Sequence, residues 1–303
     1  MDMQTLRASF TRAEAARTHH FRETAVLVAG LMLAPSCRDG NASLQPTAPS
    51  SSSAMKPVHV DSLIGNSNGC PRMMVRIEGY CIDRYEAHVV ELASDNSWRP
   101  HPHYLPVTGI RVMAKSAPGV FPQGYINQPE AENACLEAGK RLCKAKEWEK
   151  ACLGPDDLRF TYGKVEEPNK CNTRKEHLLS ILFGTDREKW TLQNFNDPAL
   201  NSMPGFLGKT DEFRLCVSGY GVFNMVGNLA EWTSGKVTSD DDLVPMKGGA
   251  KSPHMTKIGN GIFMGSFYSN SNELGSGCFY VTTGHEPTYH DYSTGFRCCK
   301  DAK

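Results

Sequence analysis

From Met73 to Val90 the sequence MMVRIEGYCIDRYEAHVV is rich in β-favouring residues, and its apolar positions recur nearly every second residue. This pattern predicts two strands joined by the turn at Glu78-Gly79. The spacing then changes. In NQPEAENACLEAG, Ala131, Ala134, Cys135 and Ala138 recur at i, i+3, i+4 and i+7, the spacing of one helical face. Asn127 followed three residues later by Glu130 gives a capping box, Pro129 falls in the tolerated first turn and Gly139 fits the position after the last turn. A second short helix is predicted in KAKEWEKACLG, with Ala145, Trp148, Ala151 and Cys152 on one side and a stop at Gly154-Pro155. Both helices turn a cysteine inward.

Beyond residue 155 the apolar runs are short and Gly, Asn, Asp, Ser and Pro are frequent, which predicts a loop-rich domain whose loops must be fixed by something other than regular structure. The N-terminal pattern differs. Four arginines precede the ten-residue apolar run Ala25–Ala34, which ends at Pro35-Ser36-Cys37. The run is too short to span a bilayer and suits a signal-peptide core. A small residue before a cysteine at its end resembles a bacterial lipobox, so residues 1–36 are expected to be removed and Cys37 to be lipidated, anchoring the protein to the envelope membrane. Residues 37–64 are rich in Ser, Pro and Ala and read as a flexible tether. A single domain is expected at 65–303.

Composition narrows the function. With 33 basic and 33 acidic residues the chain has no broad basic surface, so nucleic acid is not expected as a partner. The outlying feature is 11 cysteines, two of them adjacent at Cys298-Cys299. Consecutive Cα atoms lie about 3.8 Å apart, whereas a relaxed disulfide needs roughly 4.4–6.8 Å. Each of the two therefore needs a separate distant partner, a metal, or none. A zinc-type site is not indicated, since no C-x-x-C spacing occurs.

Five blocks taken in order, YCIDRYEAHV (80–89), ACLEAGKRLCKAKEWEKAC (134–152), YGVFNMVGNLAEWT (220–233), MKGG (246–249) and TGFRCC (294–299), resemble the sulfatase-modifying-factor family of formylglycine-generating-enzyme type. The resemblance implies an α+β fold of the irregular, loop-rich C-type-lectin-like kind, held by disulfides and calcium. It implies the pairs Cys135–Cys298 and Cys152–Cys278. Proximity and elimination then leave Cys143–Cys299, Cys70–Cys81 and Cys171–Cys216. It also implies calcium at Asn224 and Glu231 through side-chain oxygens and at Gly227 and Leu229 through carbonyls, a donor set suited to that ion. A second family calcium site would begin at Asn172-Thr173, but Pro204 stands where it needs a carboxylate, so no ion is expected there.

Catalytic members of that family use a copper ion held by two cysteines that follow a Gly-Gly-Ser element. Here Gly248-Gly249 is followed by no cysteine before Cys278, so copper is not expected. His254, Met255 and Met264 are the other soft or borderline donors in this stretch. The reading that follows is an envelope-tethered, non-oxidase module that binds a peptide, protein or glycan. The alternative is a diverged formylglycine-type oxidase or an oxygenase with another metal. His285 and His290 beside Asp291 and Tyr292, and the pair His101 and His103, read first as structural or surface residues, because no third ligand is fixed by spacing.

Overall fold

The computed structural model describes residues 69–238, 257–269 and 275–303. Three small sheets carry the framework. The first has strand order β1-β2-β11-β6, from β1 (Met74–Ile77), β2 (Tyr80–Asp83), β6 (Arg141–Leu142) and β11 (Cys298–Asp301). The second has order β10-β7-β8-β9, from β7 (Ala230–Lys236), β8 (Gly261–Met264), β9 (Val281–Thr282) and β10 (Thr294–Phe296), with β10 and β7 parallel. The third is β4-β3-β5, from β3 (Ala87–Leu92), β4 (Trp98–Pro100) and β5 (Val112–Ser116).

The 73–90 stretch thus forms three strands instead of two. The hairpin turns at Glu78, where φ is 51°, and pairs Ile77 with Tyr80. The second expected strand breaks at Arg84-Tyr85-Glu86, and β3 then joins a different sheet. The break has a cause in the side chains: Asp83, Arg84 and Glu86 are all buried and each is committed to a polar partner across the core.

Both expected helices are present. The first, α1 (Gln128–Glu137), has the complete capping box: the Asn127 side chain accepts from the Glu130 amide at 2.9 Å, and the Asn127 amide donates to Glu130 Oε2 at 3.0 Å. Ala131, Ala134 and Cys135 are buried. The second, α2 (Ala145–Leu153), buries Trp148, Ala151 and Cys152 and stops at Gly154, whose φ of 73° lies in the region that glycine tolerates. Between 155 and 229 the only α-helices are α3 (Leu178–Phe183), α4 (Leu192–Phe195) and α5 (Ala199–Ser202), so loops dominate as the composition predicted.

Five disulfides fix those loops: Cys70–Cys81, Cys135–Cys298, Cys143–Cys299, Cys152–Cys278 and Cys171–Cys216. These are the five pairs given by the sequence reading. The adjacent terminal cysteines are reconciled by the pleat of β11, which sends successive side chains to opposite faces. Cys298 enters a core with Cys135, Ala131 and Trp232, whereas Cys299 enters a different core with Cys143, Trp148 and Cys152. A third core, richer in aromatics, gathers Tyr125, Leu178, Leu200, Tyr268 and Tyr292. The proposed signal segment 1–36, the lipidation residue Cys37, the tether 37–64 and the MKGG block lie outside the described residues.

Candidate functional site

Between β10 and β11 the chain crosses from one sheet to another at Arg297, which is fully buried. Its guanidinium forms a two-point pair with Glu231, Nε to Oε2 at 2.6 Å and Nη2 to Oε1 at 2.5 Å, and also donates to the Phe223 carbonyl at 2.9 Å. Trp148 Nε1 adds a bond to Glu231 Oε2 at 2.7 Å, so the family-like blocks EWE, AEW and GFR meet at one carboxylate. Burial opposes charge on Arg297, but Glu231, with Glu86 and Asp83 behind it, outweighs burial and holds the guanidinium pKa above its ordinary value.

A second buried carboxylate lies alongside. Glu86 accepts from Asn224 Nδ2 at 2.9 Å and from Asn228 Nδ2 at 2.8 and 3.1 Å. Burial first, and the neighbouring Glu231 charge second, push its pKa up to about 8. Asn224 and Asn228 adopt left-handed φ angles of 53° and 62°, and Gly227 between them has φ 80°. A Cβ at Gly227 would fall 2.2 Å from the Asn172 carbonyl, so this turn requires glycine.

The expected calcium ligands are therefore brought to one turn and the strand it opens, with unequal availability. Asn224 Oδ1 is buried without a hydrogen-bond partner, the state of an oxygen that a hard cation would take. Gly227 and Leu229 supply main chain on the same turn. Glu231 is already bound to Arg297 and Trp148, and retains coordinating capacity chiefly through Oε1, which accepts one of those bonds. The donor set fits calcium with Glu231 shared between the ion and Arg297. At the other family position, Lys175 Nζ donates to the Phe206 carbonyl at 2.7 Å and Asn172 Nδ2 donates to the same oxygen at 2.9 Å. Asn172 Oδ1, like Asn224 Oδ1, is buried without a hydrogen-bond partner.

Among the described residues β7 pairs with β8 at Gly261–Met264, and a Gly-Ser pair, Gly265-Ser266, follows that strand. The glycine doublet at 248–249 is the more conspicuous sequence signal but lies outside the described residues, as do His254 and Met255. Met264 is fully buried in the core around Trp148. From Ser266 the next cysteine is still Cys278, and all ten cysteines after Cys37 are held in disulfides. Oxidised sulfur is not a thiolate ligand.

The cleft beside this strand is aromatic. About 400 Å³ in volume, it is lined by His177, Phe195, Phe263, Phe267, Tyr280, His285, Tyr289, Asp291 and Tyr292, with Leu192, Ala230, Thr282 and Ser293 completing the wall. His177 stacks on Trp190 at 5.0 Å, and His285 stacks on Tyr289 at 3.9 Å and on Phe263 at 5.6 Å. Tyr292 Oη lies 3.3 Å from His177 Nε2. The sequence reads His285 first as a structural or surface residue and gives its neighbours Asp291 and Tyr292 no role of their own, and the structure places all three on this wall. It missed His177, Phe195, Phe267 and Tyr280, which come from separate segments with no shared spacing. His290 does not line the cleft, whereas His101 pairs with Glu91 at 2.6 Å and His103 stacks on Phe121 at 4.6 Å, both structural roles.

A small α+β domain with three short sheets, few helices and long disulfide-held loops, closed by a buried Arg–Glu–Trp junction, is of the C-type-lectin-like class. Residues 59–302 match the sulfatase-modifying factor enzyme 1-like domain, and the chain belongs to that family. It is 26% identical over 235 residues to the formylglycine-generating enzyme of Mus musculus, covering 74% of this chain and 56% of that one. It is 25% identical over 210 residues to the enzyme of that name from Thermomonospora curvata, covering 66% and 64%. The chain thus spans between half and two thirds of the length of these relatives. Among solved structures, the Major Tropism Determinant P3c variant aligns over 76% of this chain and 53% of its own, at 15% identity and a TM-score of 0.39.

Proposed function

We propose that this domain is an exported binding module of the formylglycine-generating-enzyme family that holds a peptide, protein or glycan ligand in its aromatic cleft and does not carry the copper–thiolate oxidase chemistry. The observation that carries this reading is the cysteine inventory. Ten of the 11 cysteines are paired across the core, leaving no thiolate pair beside the cleft. Five disulfides are also consistent with a protein that matures in an oxidising, extracytoplasmic compartment. Among the described residues no helix is long and apolar enough to cross a membrane. The eleventh cysteine, Cys37, is read as the lipid-bearing N-terminus after signal removal, and intact-mass analysis of membrane fractions tests it.

The test of the binding reading is incubation of the copper-loaded domain with oxygen and a cysteine peptide of sulfatase type, followed by mass spectrometry for the aldehyde. No aldehyde is expected. Copper-dependent turnover, or stoichiometric copper or iron in the purified protein, would favour an oxidase or oxygenase instead. Calcium is proposed at the Asn224–Glu231 turn in a structural role. Chelation is expected to lower the melting temperature of the wild type, since a ligand at about a hundredfold excess over Kd stabilises by about 2.7 kcal/mol. Asn224→Leu should remove that sensitivity, and equal melting of both proteins with and without chelator would refute the site.

A further inference from the structure

The Asn224–Glu231 turn is held at two points, and one disulfide joins them. At its start, the Asn224 amide donates to the Cys216 carbonyl at 2.9 Å. Four residues on, the Asn228 amide donates to the Asn172 carbonyl at 2.9 Å, and Asn172 Nδ2 donates to Asn228 Oδ1 at 2.7 Å. Cys171, next to Asn172, is bonded to Cys216, with their Cα atoms 4.8 Å apart. Cys216 Sγ itself lies 3.4 Å from the Val226 carbonyl oxygen, so the bridge packs directly against the turn. Both cysteines are buried, and neither sits in a helix or a strand.

The conformation being held is an unusual one. Asn224, Gly227 and Asn228 all have left-handed φ, a sparsely populated region for residues with a side chain, so contacts from outside the turn impose its shape. That same backbone places the Asn224 side chain and the Gly227 and Leu229 carbonyls, the oxygens that fit calcium. The two holding points sit on loops whose cysteines are 45 residues apart in sequence, and the bond removes the freedom those loops would have to separate. A bridge and an ion that need one backbone conformation stabilise each other. Such coupling is reciprocal: the factor by which the bond raises calcium affinity is the factor by which calcium favours the bond.

Resting on the calcium reading above, we propose that Cys171–Cys216 positions the calcium turn, and that calcium in return selects this pairing while the chain oxidises. The first measurement is a calorimetric titration with calcium chloride. Replacing both residues, Cys171→Ser with Cys216→Ser, is expected to weaken binding about tenfold, equivalent to about 1.4 kcal/mol. Replacing a bridge that does not touch the turn, Cys70→Ser with Cys81→Ser, should leave the affinity unchanged. The second measurement uses the unaltered sequence, reduced and then refolded in a glutathione buffer with calcium or with chelator, and mapped by non-reducing peptide analysis. Each bond formed passes two electrons and two protons from two thiols of the chain to one oxidised glutathione, giving two reduced glutathiones. The equilibrium constant for Cys171–Cys216 should be about tenfold larger in calcium, and Asn224→Leu should erase that difference. Equal calcium affinity with and without the bridge overturns the proposal and leaves the calcium site standing. An equal loss in the Cys70–Cys81 variant shows general loosening and also overturns it. Where the Cys171–Cys216 variant does not fold, the glutathione measurement decides: a constant indifferent to calcium, or a difference that survives Asn224→Leu, overturns the coupling. No calcium binding by the wild type removes the site and the proposal together.

Discussion

Removing the two disulfides that end at the adjacent cysteines should cost far less, one at a time, than their sequence separations suggest. Taken alone, Cys135–Cys298 and Cys143–Cys299 close loops of 163 and 156 residues, each worth about 5 kcal/mol in the chain-entropy model. They are not alone. With one in place, the other closes only a ring of about 11 residues, made of 135–143 and 298–299, worth about 3 kcal/mol. With Cys152–Cys278 also intact, the loss of both opens a ring of about 32 residues, and the second deletion costs about 4 kcal/mol. The prediction is therefore about 3 kcal/mol for either Cys→Ala pair and about 7 kcal/mol for both. Urea unfolding at neutral pH without reductant measures this directly, with the denaturant slope checked for changes in the unfolded state. Single-pair losses near 5 kcal/mol, or a double loss no larger than either single one, would refute the nested-ring reasoning.

In calcium-free protein Arg297→Met should destabilise by about 3–5 kcal/mol, because it leaves Glu231 a buried carboxylate without its cation. The double variant with Glu231→Met should recover part of that loss, and a double-mutant cycle in urea reads the coupling. Asn127→Ala should cost about 1 kcal/mol through loss of its half of the capping box, measurable as a shift in urea midpoint. Burial lowers the pKa of His88, His103 and His285 in the folded protein. Their contribution is fully present above the unfolded value of about 6.5 and is lost as pH falls below it toward the folded values. Glu86, whose folded pKa is raised to about 8, contributes with the opposite sign over the same range, so the test is a difference: His103→Gln should lose less stability than the wild type between neutral and mildly acidic pH, and an identical pH dependence of the two melting temperatures would count against the assignment.

What could be read in advance was what is local or covalent. The capping box at Asn127, the inward cysteines of α1 and α2 and the stop at Gly154 depend on neighbours a few residues apart, and all are present. The break after Asp83 was not legible, because Arg84 and Glu86 leave the strand pattern for partners more than a hundred residues away. The strand β8 carries only four residues, too few for its alternation to stand out in the sequence. The cleft could not be read at all: His177, Phe267 and Tyr292 meet only when α3, β8 and β10 converge, and aromatic residues at irregular intervals carry no period.

The pairing order of the cysteines carries a consequence for how the molecule is made. Only Cys70–Cys81 and Cys171–Cys216 join cysteines that are consecutive in the sequence, while Cys135, Cys143 and Cys152 pair with Cys298, Cys299 and Cys278. A chain emerging N-terminus first into an oxidising compartment exposes those three thiols together, long before their partners arrive. Oxidation in order of emergence would tie them to one another or to Cys171. Such bonds must then be exchanged when β11 takes its place between β2 and β6. Yield of the native protein is thereby tied to disulfide isomerisation more than to oxidation, and a host that oxidises quickly but reshuffles poorly will accumulate trapped, mispaired chains.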